Sequence, residues 1–144
     1  MALSRRTATL ALGFALIPSA VMAAEPAPVA IKGYDPVAYF ALQRATPGAP
    51  QFEYEWDEHR WRFANAQHRD LFKADPVRYA PQFTDFCAVA LSRGELHEAN
   101  PEYWLINDGK LYLFGKPAGP DLFRRDLQHN IERANAHRSM LPKS

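Results

Sequence analysis

Hydrophobic and polar positions alternate strictly over two neighbouring stretches of the chain. Phe52, Tyr54 and Trp56 are interleaved with Glu53, Glu55 and Asp57, and Trp61 and Phe63 with Arg60 and Arg62. Period-two patterning of this kind predicts half-buried strands, and the polar break at Asp57 to His59 turns residues 52–64 into a β-hairpin. Opposed Glu and Arg side chains on its outer face favour the pairing. A second hairpin is predicted where Tyr103 to Ile106 and Lys110 to Phe114 flank Asn107-Asp108-Gly109, since Asp-Gly supplies the positive φ angles of a tight turn. Phe83 to Ser92 carries apolar residues on both faces and reads as a central strand, and Val29 to Ile31 as a short one.

Helical signals fill the spaces between. Asp35-Pro36 and Asp75-Pro76 each place Asp at an N-cap and Pro at the first helical position, which predicts short helices over Val37 to Ala41 and up to Pro81. Asn65 caps a helix running to about Ala74, with Leu71 and Phe72 turned inward. From Asp121 to His137, the residues Phe123, Leu127, Ile131 and Ala134 fall in one arc at 100° per residue, predicting a helix with one face on the sheet. The expected fold class is α+β: a small single domain with an antiparallel sheet of two hairpins plus a central strand, short Asp-Pro-initiated helices and a C-terminal helix packed on the sheet.

The first residues change this picture, because they read as an address. Arg5 and Arg6 form a positive n-region, Thr7 to Ile17 an uncharged apolar run, and Pro18 to Ala24 a small-residue segment with cleavage expected after Ala23. The run is shorter than the ~20 apolar residues of a membrane span, so none is expected after cleavage. General secretion and the twin-arginine route both remain open, and the destination is periplasmic or extracellular. The expected organisation is leader 1–23, extended and disordered linker 24–28, domain 29–138 and tail 139–144. Loss of Arg5 and Arg6 with the leader turns 17 basic residues into 15 against 16 acidic ones, which speaks against a nucleic-acid partner. Cys87 is the single cysteine, so neither an intramolecular disulfide nor a multi-cysteine metal cage is available.

Several ordered pieces together resemble one family. They are Gly33-Tyr34-Asp35-Pro36-Val37-Ala38-Tyr39-Phe40, then Trp61-Arg62-Phe63-Ala64, Arg69-Asp70-Leu71-Phe72, Asp75-Pro76 with Tyr79-Ala80-Pro81, Phe86-Cys87-Ala88, and Asp108-Gly109-Lys110-Leu111-Tyr112-Leu113-Phe114. From about Val29 to Ala136 the chain resembles exported bacterial proteins with a YHS domain. The resemblance implies a cysteine-containing module associated with metals. The chain departs from the family pattern at Thr84-Asp85-Phe86, where a glycine pair and tyrosine usually precede the cysteine, and at Phe114-Gly115, where Asn-Tyr is common.

Candidate chemistry centres on Cys87, a soft ligand and nucleophile or else a small buried hydrophobe. Asp85 would share its face in a strand, and His68 leans inward one helical turn before Phe72, so these three are the candidate ligands of a copper or zinc ion. His97 ranks below His68. His129, Arg133 and His137 form a polar ridge whose histidines lie two turns apart, too far to share an ion. Asp35 is an N-cap rather than a catalytic acid. No Gly-x-Ser-x-Gly, Gly-rich phosphate loop, His-Glu-x-x-His or Cys-x-x-Cys motif is present. The expectation is an exported binding module for a metal ion, a small ligand or an envelope protein. The alternatives are a thiol-dependent enzyme or redox protein using Cys87 and a protein-interaction or envelope-maintenance module in which Cys87 is inert and buried.

Overall fold

The computed structural model describes Leu10, Ala11 and residues 13–143. Much of the expected leader, residues 1–9 and Leu12, lies outside the described residues. Gly13 to Ala23 is exposed and has no regular secondary structure. Among the described residues no helix is long and apolar enough to cross a membrane.

The chain forms an α+β fold with six helices and two antiparallel two-stranded sheets among the described residues. In order these are α1 (Ala38–Ala41), β1 (Ala49–Trp56), β2 (His59–Phe63), α2 (Ala66–Ala74), α3 (Pro76–Tyr79), α4 (Ala88–Ser92), β3 (Asn100–Asn107), β4 (Lys110–Phe114), α5 (Gly119–Arg124) and α6 (Leu127–Ala136). Both predicted hairpins form, but each is a separate sheet. In the first, Glu53 pairs across from Arg62 and Glu55 from Arg60, and Arg62 Nε donates to Glu53 Oε2 at 2.7 Å. In the second, Asp108 and Gly109 take φ values of 50° and 68°, the left-handed pair that a two-residue turn requires. The Asn65 side chain accepts from the His68 amide and starts α2, while Asp75 accepts from the Arg78 amide and starts α3.

Two hydrophobic clusters make the core, and the second hairpin stands between them. Leu111 and Leu113 join Tyr39, Trp61, Phe63 and Phe72 on one side; Leu105, Tyr112 and Phe114 join Phe83, Leu91 and Phe123 on the other. A strand buries alternate side chains on opposite faces, so β4 serves both clusters at once. Phe72 centres the first, with the rings of Trp61 and Phe63 at 5.1 and 5.2 Å. The second is closed by Phe123 against Phe114 at 5.4 Å.

Four expectations are corrected. Phe83 to Ser92 is not a central strand: its first half is a run of turns and its second half is α4. Its two apolar faces arise because a single turn of helix is enclosed by the second cluster, and five residues are too few to display helical periodicity. Val29 to Ile31 is not a strand, since Ile31 and Lys32 adopt left-handed angles in a 3-10 turn, although Val29 bridges Arg60. The C-terminal helix is broken at Arg125 and Asp126, and α5 packs on β3 whereas α6 packs mainly on α4 instead of a sheet. Leu71 is 41% exposed; Phe72 alone of that pair is turned inward. At the two ends, Pro28 accepts from the Arg60 amide, and Leu141 packs against the second cluster.

Candidate functional site

The three residues expected to share a metal ion stand in three different surroundings. His68 is buried in the first half of the domain, where its Nδ1 donates to Asp35 Oδ2 at 2.6 Å. Asp35, with no exposed surface, also accepts from the Val37 and Ala38 amides through Oδ1 and from the Ala64 amide through Oδ2. One carboxylate therefore caps α1, fixes the end of β2 and orients the imidazole on α2. His68 is a fastener of this junction, and it is not brought to Cys87.

Asp85 lies in the turns before α4, where the Ile31 amide donates to its Oδ1. Its Oδ2 sits 3.7 Å from His59 Nε2. Burial pushes its carboxyl above the ordinary value of 3.8; the Ile31 amide and, in its protonated form, the His59 ring pull the other way. Because residues 83–87 are not a strand, Asp85 and Cys87 do not share a face, and each lines a different cleft. No group of three His, Cys, Asp or Glu side chains among the described residues is arranged to hold a metal ion.

Cys87 immediately precedes α4 and is a free thiol 8% exposed. Its amide donates to the His97 carbonyl at 2.8 Å, and Asp85 and Ala99 are bonded alongside, so the 97–99 segment is laid against the turn that carries the cysteine. The thiol forms part of the wall of a cleft of about 390 Å³. Gly115 borders it: a Cβ there would meet Sγ at 3.9 Å and the Glu98 carbonyl at 3.0 Å, so a side chain at this position would crowd the cleft. Val89, Ala118 and Leu122 supply apolar lining, and Arg93, His97 and Lys116 supply polar groups. Glu95 pairs with His97 at 3.1 Å and Glu98 with Lys32 at 3.6 Å. Among the described residues Arg93 and Lys116 have no carboxylate within ion-pair distance.

The ranking of the histidines is thus reversed, since His97 and not His68 shares the surroundings of Cys87. The loop between Gly94 and Pro101 gave the only signal for this, and its fold-back onto the cysteine turn was not visible in a local pattern. His137 also departs from the expected polar ridge, with Nδ1 2.9 Å from the Leu91 carbonyl at the end of α4. No protein-family model, curated protein or solved structure matches this chain.

Proposed function

We propose that the chain is an exported binding module of the YHS type and that its ligand site is the cleft walled by Cys87. The observation that carries this reading is the convergence on one cleft of the single thiol, an apolar lining and two cations that have no carboxylate partner among the described residues. Pockets that combine apolar walls with a few polar groups are the usual form of a small-ligand site. The fitting ligand is small and partly apolar, with an acidic group that meets Arg93 and Lys116. Export is supported by the Arg5-Arg6 n-region and the apolar run behind it.

A second reading is a soft metal ion, copper or zinc, held by Cys87 with His97 in the place first given to His68. It is favoured by the adjacency of residues 87 and 97, whose backbones are hydrogen-bonded, and it needs further donors from outside the chain.

The test is native mass spectrometry with elemental analysis on protein purified from its export compartment without chelators or a histidine tag. A stoichiometric organic mass that disappears in Cys87→Ser and Lys116→Gln supports the first reading. A metal lost in Cys87→Ser and His97→Ala supports the second. Unliganded protein whose thiol resists a small aromatic disulfide sinks both.

A further inference from the structure

A second cleft, of about 520 Å³, opens on the other side of the Thr84–Cys87 turn and is lined by Asp57, His59, Thr84, Asp85, Phe86 and the C-terminal segment from Arg138. Its polar wall has an unusual arrangement of acceptors. His59 Nδ1 lies 2.7 Å from the Asp57 carbonyl oxygen. A carbonyl only accepts, so Nδ1 carries the hydrogen and, in the neutral ring, Nε2 presents a lone pair. Asp85 Oδ1 is occupied by the Ile31 amide, which among the described residues leaves Oδ2 without a hydrogen-bond donor. Nε2 and Oδ2 face each other at 3.7 Å, beyond hydrogen-bond reach, so neither satisfies the other. The side chains are only 16% and 30% exposed, which limits how far water screens them.

We propose that this cleft binds a small primary amine, whose ammonium group bridges His59 Nε2 and Asp85 Oδ2. A donor nitrogen ~2.9 Å from both atoms closes a triangle on the 3.7 Å base, and an ammonium has three hydrogens with which to do so. A hydroxyl has one hydrogen and serves only one of the two acceptors. A carboxylate would meet two lone pairs and is rejected. Asp57 adds a second carboxylate to the rim, and Phe86 and Leu141 give an apolar body somewhere to lie.

The cations nearby do not fill this role. Arg138 is turned to the Gln82 carbonyl and Asn135 at 2.8 and 2.9 Å, with its guanidinium 4.9 Å over Phe83. Lys32 is paired with Glu98. Lys143 lines the C-terminal end of the cleft and has no carboxylate within ion-pair distance among the described residues. Backbone strain marks the same place: Thr84 and Ile31, both β-branched, take φ values of 48° and 41° on either side of the Asp85 carboxylate. The two left-handed residues hold the carboxyl against the Ile31 amide and leave its second oxygen to the cleft.

The test is a proton–nitrogen NMR titration of the folded protein with 2-phenylethylamine, alongside 3-phenylpropionate of matching size and opposite charge. The expected result is saturable shifts at the amides of residues 57–59 and 82–86 with the amine and none with the acid. Asp85→Asn keeps an oxygen for the Ile31 amide and weakens amine binding about tenfold, the size of one hydrogen bond to a charged group. His59→Gln does so about threefold or more on the same grounds, and it decides the matter if the first variant misfolds. Equal shifts from the acid, wild-type affinity in both variants, or no saturable shift with the amine would each overturn the proposal.

Discussion

Replacing Asp35 by alanine tests the account of the first half of the domain most directly. Four donors converge on this carboxylate, at 2.6 to 3.2 Å. In the variant the Ala38 amide keeps a partner, because it also lies 3.3 Å from the Asp35 backbone carbonyl. The Val37 amide, the Ala64 amide and His68 Nδ1 lose theirs. A stranded buried donor costs about 1–3 kcal/mol. The Ala64 amide is only part-buried, so the lowest part of that range applies to it, and with the two buried donors the sum is about 4 kcal/mol. Domains of this size are stable by about 5–15 kcal/mol, so the variant is left close to its unfolding threshold. Trp56 and Trp61 sit in the adjoining hairpin and report on it, which makes urea denaturation followed by tryptophan fluorescence the natural assay. With a slope of about 1.5 kcal/mol per molar urea, the midpoint should fall by about 2.5 M. Asp35→Asn keeps an acceptor for one pair of donors but turns an amide group towards the other, and should cost about half as much. Combining Asp35→Ala with His68→Ala should recover at least about 1 kcal/mol of the summed single losses, since each partner alone is stranded by the other's removal. A midpoint shift below about 0.5 M for Asp35→Ala would refute the hub and leave Asp35 an ordinary N-cap.

Further outcomes follow from the same geometry. Gly48→Ala would drive a Cβ to 2.5 Å from the Arg62 carbonyl carbon and 2.7 Å from the Phe63 amide, backbone atoms that cannot swing aside. It should cost about 2–3 kcal/mol in the same urea assay and loosen the pairing of Ala49 with Phe63. Asp85 gives a pH signature. Its carboxyl is raised above 3.8 in the folded state, so its contribution is fully present below that value and is lost as pH rises through the folded value. Asp85→Asn lacks this loss, and the difference in unfolding free energy between variant and wild type should therefore move in the variant's favour from about pH 3 upward and then level off. A difference that moves the other way over this window would show that the His59 and Ile31 contacts outweigh burial.

Much of the local structure was legible because short polar signals specify it with little help from the rest of the chain. Asn65, Asp75 and Asp108-Gly109 act within three or four residues, and each stands where its chemistry requires. Phe83 to Ser92 carries the pattern of a buried strand without being one, because apolarity on both faces reports enclosure and not conformation, and β4 is the segment that meets that description. His68 was rightly turned inward, yet its partner lies 33 positions away in a residue already accounted for as a helix cap. The neighbours of Cys87 depend on the return of the 97–99 segment to the cysteine turn. His59 was hidden in a hairpin turn, with nothing in its own pattern to link it to Asp85.

The second hairpin standing between two cores has a consequence for how the chain can be divided. A cut between residues 82 and 99 would separate the first hairpin and α2 from β3 and β4. The first fragment would lose the leucine face formed by Leu111 and Leu113, and the second would display that face, with Trp104 and Ile106, as a bare apolar slab. Two-stranded ribbons have little stability by themselves, so the first fragment, left with one ribbon and its short helices, is the weaker piece, whereas a cut just after Gln82 leaves the second fragment with the whole of the second cluster. Mixed together, the two pieces possess a ready-made seam along which to reassociate, the leucine face of β4 against Trp61 and Phe72.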